Sequence, residues 1–456
     1  MQLSLEQLAE IVGGRLTLGS PPPLGGAWDP VGRMVVEAER VQAGDVFWGF
    51  SGTAQDDARR ADEALARGAQ GVVVAQRPIE PWAGRFTLRV ENTRWAWWKL
   101  ARQARSEFTG RVIMAAGGLG KSTALHLVDQ VLAKVASGSL GQSRGDLGIE
   151  LPRLFIDAAP ELDYSLIDLG SVAPGELAPA VHLGRPDLLV FVSSTGGPAA
   201  AGATELLEQL QSPCEAIIWG DDLRLERAAR LSRGRVTLVG RGSHCDLSAS
   251  DIRCHEGRLA FRLDGADFDL PLEGRHFLPA ALTAIAVGRR WGISDRAIAQ
   301  SLEEAQPPAH RCQLNRLGDL SILDDTAHAG LASLTPALGA LRDAPTQGRR
   351  IVVLGTLNSE SHGRTPRQSA YEAGRAVVIR GGADLLLACG PMAGEIVRGA
   401  IDAGMPRRHA LTWNSINGFP WRVSPGDVVL AKGRDLPELT QLLSRRPAPE
   451  FRKAAA

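Results

Sequence analysis

The sequence predicts an α/β protein of three domains, and three observations carry that prediction. Its 456 residues have room for about three units of roughly 150 residues, and a hydrophobic content of 44% lets each unit bury a core. Short apolar stretches alternate with stretches of helical spacing along most of the chain, the pattern of β/α units. That alternation is renewed near residues 108 and 311, which divides the chain into 1–108, 109–310 and 311–456.

In the first domain "DVFWGF" (45–50) reads as a strand, "DDARRADEALARG" (56–68) as a helix stopped by Gly68, and "QGVVVAQ" (70–76) as a buried strand. Together they make a small α/β domain. "ENTRWAWWKLARQAR" (91–105) reads as a helix with Trp95, Trp98 and Ala101 or Arg102 on one face. No basic surplus accompanies these rings, so aromatic packing between two domains is expected in place of a base-stacking platform.

The second domain opens with the strand "RVIMAA" (111–116), a glycine loop and a helix whose Leu125, Val128, Leu132 and Val135 share a face. "DYSLIDLG" (163–170), "PDLLVFVSS" (186–194) and "CEAIIWG" (214–220) continue as apolar strands, which predicts a parallel sheet covered on both faces. Residues 244–276 switch to β-type alternation, and "RHFLPAALTAIAVGRRWG" (275–292) returns to helix. From about 311 a third series has "LSILDD", "RIVVLGT", "ADLLLACG" and "DVVLAKG" as strands, a Rossmann-like pattern.

Charge and cysteine usage exclude several functions. Lys+Arg and Asp+Glu are both 51, so no general attraction to nucleic acid or anionic membrane is expected. Five scattered cysteines without CxxC spacing suit reduced thiols and a cytoplasmic setting. The first residues lack a signal-peptide pattern, and no apolar run reaches the roughly 18 residues of a membrane span. The only lysines are Lys99, Lys121, Lys134, Lys432 and Lys453, so nothing between 135 and 431 can use an amine.

"AAGGLGKSTALH" (115–126) is the strongest local signal. A glycine loop between an apolar strand and an amphipathic helix presents backbone N–H groups and a helix N-terminus to phosphate oxygens. Gly117, Gly118 and Gly120 would cradle phosphates, Lys121 would bridge the terminal ones, and Ser122 or Thr123 would place a hydroxyl on Mg²⁺. The central domain is therefore expected to be a P-loop mononucleotide-binding parallel sheet. Asp168 ends a strand, where its carboxylate either holds Mg²⁺ or caps a turn. Asp324, Asp325 and His328 in "LDDTAHAG" either position a cation or substrate amine or cap the following helix. "HCDLSASDIRCH" (244–255) has His and Cys at each end, but its spacing fits no common zinc site and ordinary buried cysteines are expected.

The phosphate loop, Asp168, "GRH" at 274–276, "DDTAHAG" at 324–330 and "AKGR" at 431–434 follow the order of the Mur ligases. Over almost its whole length the chain resembles that family, most of all its D-alanyl-D-alanine-adding members. The resemblance implies an N-terminal domain for a UDP-sugar peptide, a central ATPase domain and a C-terminal domain for an amino acid or dipeptide. ATP would phosphorylate a substrate carboxylate, and an amine would attack the acyl phosphate to form an amide. It further implies nucleotide contacts by Gly117, Gly118, Gly120, Lys121, Ser122, Thr123 and His276, and magnesium contacts by Ser122 and Asp168. Catalytic-site roles would fall to Arg311, Asp325, His328 and Lys432, with Gly175, Glu176 and Gly433 as further motif matches. Implied partners are a nucleotide and a cell-wall precursor or small amine.

The departures from the family pattern are as informative. Where the family has a histidine for a second magnesium, "SSTGGPAAAG" places Pro198, and "ATELLEQLQSP" (203–213) has no lysine to be carbamylated. The adenine-contacting asparagine is Phe277, and the Asn-rich segment after the loop helix is "GQSRGDLG" (141–148). The UDP-contacting Asp-Ser/Thr-Arg is Glu37, Ala38, Glu39, and Ala58 replaces a histidine. Two expectations follow: a Mur-ligase-like protein with lost or strongly altered catalysis, or an active, divergent ATP-dependent carboxylate–amine ligase.

Overall fold

A computed structural model describes residues 3–50, 54–75, 79–143, 145–170, 172, 175–194, 199–208, 214–327, 329–358, 365–413, 424–434 and 436. The chain is α/β, as expected, and forms two compact units: Met1–Met114 with Ala136–Asp187, and Ala115–Val135 with Leu188–Ala456. Among the described residues no helix is long and apolar enough to cross a membrane.

In the first unit a five-stranded sheet runs in the order Arg15–Leu18, Phe86–Arg89, Gly71–Val74, Val46–Trp48, Met34–Val35. Only the first pair is antiparallel. Gly71 has to be glycine, because a Cβ there would stand 2.4 Å from the Phe86 ring. The opening helix Leu5–Val12 starts in a capping box made by Ser4 and Gln7 and buries Leu5, Leu8 and Val12 on one face. Gly13, at φ 70°, ends it.

The helix Thr93–Glu107 corrects the reading of its aromatics. Trp97 is the wholly buried ring, 4.7 Å from Trp48 between centroids, while Trp95 is 63% exposed. The helix packs on Leu147–Asp157, and the indole N–H groups of Trp97 and Trp98 donate to Ile149 O and Gly148 O. Trp97 thus buries its ring, Trp98 is partly buried, and each indole satisfies its one donor. The face is set by Ala96, Trp97, Leu100, Ala101 and Ala104, one position away from the expected stripe. The strands Gly138–Gln142 and Tyr164–Asp168 pair in parallel in the same unit.

The second unit contains the loop helix Lys121–Leu132 and the parallel strands Leu188–Phe191, Glu215–Trp219, Arg235–Gly240 and Leu247–Ser248. Leu125, Val128 and Leu132 are buried as expected, but Val135 lies beyond the helix end and is 61% exposed. The β-type region is a three-stranded antiparallel sheet, Ser250–His255, Arg258–Leu263 and Ala266–Leu270. The helix Leu278–Arg290 packs on the loop helix, where Gly288 leaves room for Val131 and Ile298.

The last sheet has six strands in the order Gln313–Leu317, Leu320–Asp325, Val428–Lys432, Arg350–Leu354, Leu385–Ala388, Ala410–Thr412. Its first pair is antiparallel and the rest are parallel. Ile322, Ile351, Val353, Leu387 and Val429 form its core. Strands so evenly apolar need cover on both faces, which the helices Leu331–Asp343, Pro366–Ile379 and Ala393–Asp402 supply. The parallel pairing of Leu320–Asp325 with Val428–Lys432 brings Asp325 opposite Lys432.

Candidate nucleotide site

The glycine loop has the backbone its sequence demands. Gly117 at φ 96° and Gly120 at φ 92° occupy the left-handed region, and a Cβ on Gly120 would stand 2.8 Å from Val192. Gly118 N–H donates to Ser193 O at 2.8 Å, tying the loop to the residues after a neighbouring strand. Gly120 opens a twelve-residue helix whose first-turn N–H groups form an anion-binding end. The Lys121 ammonium lies over the loop and donates to Gly117 O and Gly118 O at 2.8 and 2.7 Å.

One cleft of the second unit brings together five of the expected nucleotide and catalytic residues, Gly120, Thr123, His276, Arg311 and Asp325. Leu119, Gly120 and Thr123 line it from the loop, and His276, Phe277 and Ala280 from the "GRH" turn and its helix. Arg311, Cys312 and Asp325 line it from the third β/α series, with Ser333, Pro336 and Ala337 beyond them.

Asp325 and Lys432 form the polar floor beside this cleft. Lys432 Nζ donates to Asp325 Oδ2 at 2.6 Å with no part of the lysine exposed, and Cys312 N–H donates to Oδ1 at 3.2 Å. Burial pushes the Asp325 carboxyl upward against the pull of Lys432 and of the Cys312 N–H. His276 is half-buried by accessible surface yet hemmed in by protein. Desolvation first, and the Lys432 ammonium second, lower its pKa to about 4, so the imidazole is neutral at pH 7. Its ring lies 4.2 Å from that of Phe277 between centroids.

Arg311 stands in a segment with unusual backbone. His310 and Cys312 on either side have φ of 62° and 48°, a conformation that side chains other than glycine rarely take. Strand-end contacts hold it: His310 Nδ1 pairs with Asp324 Oδ2 at 2.7 Å, and Ala327 N–H donates to His310 O. Thus the two aspartates divide their work. Asp324 fixes the turn, also accepting from Thr326, while Asp325 faces Lys432. The sequence offered "AHR" and "DD", but nothing in their spacing showed that Cys312 and His310 belong to the same construction.

Asp168 belongs to the other compact unit. Its buried carboxylate accepts from Gly170 N–H at 2.9 Å and lies 3.5 Å from the Gln142 amide. Ser122 sits in the first turn of the loop helix. His328, Pro198 and residues 209–213 lie outside the described residues. In the first unit Ala38 is buried in a short 3₁₀ turn, and Glu37 lies 3.8 Å from Arg40.

The segment 244–255 does not act as one His/Cys set. Cys254 and His255 are on a strand of the antiparallel sheet, whereas His244 and Cys245 follow Arg235–Gly240 and meet Asp221 instead.

No protein-family model matches the chain. It is 26% identical over 377 residues to the UDP-N-acetylmuramoyl-tripeptide--D-alanyl-D-alanine ligase of Escherichia coli (strain K12), covering 78% of this chain and 80% of that protein. To the ligase of the same name from Synechocystis sp. it is 25% identical over 384 residues, 81% of this chain and 82% of that one. Among solved structures, MurF from Acinetobacter baumannii superposes with a TM-score of 0.81 at 20% identity, covering 98% and 99% of the two chains. MurF ligase from Thermotoga maritima in complex with ADP gives a TM-score of 0.73 at 20% identity over 88% and 94%. With sequence similarity to these ligases over some four fifths of its length and a shared fold over nearly all of it, this chain is MurF-like, similar to the Mur ligases in sequence and in fold.

Proposed function

We propose that this chain is a nucleotide-binding member of the Mur ligase family in which amide-forming turnover is lost or strongly altered. The observation that carries this reading is the composition of the cleft. Its phosphate end keeps Gly120, Thr123 and Arg311, with the Asp325–Lys432 pair alongside, whereas Leu119, Phe277, Ala280, Pro336 and Ala337 present only apolar surface.

The N–H groups at the loop-helix terminus would take phosphate oxygens, and the Lys121 ammonium would exchange its two loop carbonyls for the terminal phosphates. The Ser122 hydroxyl, in the first turn of the loop helix, would be a ligand of Mg²⁺, which would supply charge neutralisation to a transferring phosphoryl. A base entering the cleft would find the Phe277 ring as a stacking surface and no amide side chain there to select adenine. The sequence also removes a route to a second magnesium, since no lysine lies between Lys134 and Lys432. Each lost charged contact to a transferring phosphoryl costs about 2 to 4 kcal/mol of transition-state stabilisation. Several together take turnover below a useful rate.

A second reading, an active and divergent ATP-dependent carboxylate–amine ligase of peptidoglycan synthesis, draws on the presence of Arg311 and Asp325 at the same cleft as the phosphate loop. One experiment separates the two. ATP is titrated calorimetrically with and without Mg²⁺, and phosphate release and amide product are then followed with UDP-N-acetylmuramoyl-tripeptide and D-alanyl-D-alanine. ATP binding without product supports the first reading; amide product establishes the second. Absence of ATP binding overturns both.

A further inference from the structure

We propose that Asp221, His244 and Cys245 form a binding site for a zinc-class divalent cation at the carboxyl ends of the strands Glu215–Trp219 and Arg235–Gly240. These strands pair in parallel, so the loops that follow them emerge on the same edge of the sheet. One loop brings Asp221, the other His244 and Cys245, and the three offer a carboxylate oxygen, an imidazole nitrogen and a sulfur within 4.8 Å of one another. Imidazole, thiolate and carboxylate are the ligands of zinc, and three protein ligands leave a fourth tetrahedral position to water.

Two features around the trio are those of a built site. Gly220 O lies 3.1 Å from His244 Nε2 and can only accept, so Nε2 carries the proton and Nδ1 keeps a lone pair. A backbone carbonyl that fixes the tautomer is the usual support of a metal-bound histidine. Around the side chains, three glycines leave the space they occupy. A Cβ would stand 2.7 Å from Cys245 Sγ at Gly220, 2.6 Å from Sγ and 2.7 Å from Asp221 Oδ1 at Gly240, and 2.4 Å from His244 Nδ1 at Gly242. None of the three has the positive φ that would call for glycine on backbone grounds.

The carboxylate is already oriented. Asp221 Oδ1 accepts from the N–H groups of Arg241 and Gly242 at 3.0 and 3.3 Å, while Oδ2 pairs with Arg241 Nε at 2.5 Å. Arg241 is an exposed side chain, 62% accessible, so the guanidinium can swing into solvent when a cation takes its place. Asp222 is not part of the set: it caps the helix Leu223–Leu231 and binds Ser194. The cation would clamp two adjacent loops together, and this assignment does not depend on whether the cleft binds ATP.

The full chain, stripped with a chelator, is titrated with Co²⁺ while the thiolate-to-metal charge-transfer absorption is followed, and Zn²⁺ is then added to displace the cobalt. One equivalent of Co²⁺ with that band is expected. Cys245→Ser should abolish the band, and His244→Ala, at an exposed position, should weaken binding by about tenfold or more with the circular dichroism spectrum unchanged. Arg241→Gln should tighten binding, because it removes the competing cation from Asp221. No stoichiometric uptake, an undiminished band in Cys245→Ser, unchanged affinity in His244→Ala, or weaker binding in Arg241→Gln would each overturn the three-ligand site.

Discussion

Lys432 and Asp325, 107 positions apart in sequence, meet as a buried ion pair of 2.6 Å at the edge of the phosphate-loop cleft. The contact exists because their strands pair in parallel with these two residues in register. Burying both charges is costly, and the pair is tolerable because each neutralises the other.

Removing one partner should therefore be worse than removing both. Lys432→Met is expected to cost about 3 to 5 kcal/mol by leaving the carboxylate uncompensated. Lys432→Met with Asp325→Leu should recover much of that loss. Urea denaturation of the two variants measures it; equal destabilisation would show that the pair is not coupled.

His276 predicts a pH dependence of stability. Its folded pKa, about 4, lies below the ordinary 6.5, so the unfolded chain binds the proton more readily. Its contribution is complete above pH 6.5 and is lost as the pH falls from there through 4, amounting to about 2 to 3 kcal/mol. His276→Gln should flatten the stability curve across that window relative to the parent protein.

Glu273, beside the "GRH" turn, should act with the opposite sign. It is 2% exposed, and burial raises its pKa against the pull of the Gly257 backbone N–H. The folded state resists its ionisation, so stability falls as pH rises above 4.5, the ordinary value. Glu273→Gln should stabilise the protein at pH 7.5 and leave it unchanged near pH 4, as read by denaturant midpoints.

What the sequence disclosed depended on how local each feature is. The phosphate loop was legible because strand, glycines and helix are consecutive and each has its own signal. The strand pattern of the third series was legible for the same reason, since buried parallel strands read as unbroken apolar runs. The partnership of Asp325 with Lys432 was not, although both stand in recognisable motifs, because pairing depends on strand register across the sheet. The burial of Trp97 is not legible in the sequence because three tryptophans within four residues allow more than one helical stripe, and tertiary packing chooses among them. Similarly, His244 and Cys245 were visible as a pair, but their third companion, Asp221, comes from another loop. The segment's own spacing pointed instead to Cys254 and His255, which sit on a strand of a different sheet.

ATP titration of the full chain followed by product analysis, with Lys121→Ala as the control, separates a nucleotide-binding chain without turnover from an active ligase. Calorimetry should find saturable ATP binding that Lys121→Ala weakens by at least about tenfold, given that its ammonium is the cation nearest the loop carbonyls. With UDP-N-acetylmuramoyl-tripeptide, D-alanyl-D-alanine and Mg²⁺ present, neither phosphate nor amide should form at a rate above background. Amide product that disappears in Lys121→Ala would make the chain an active ligase and overturn the loss of turnover.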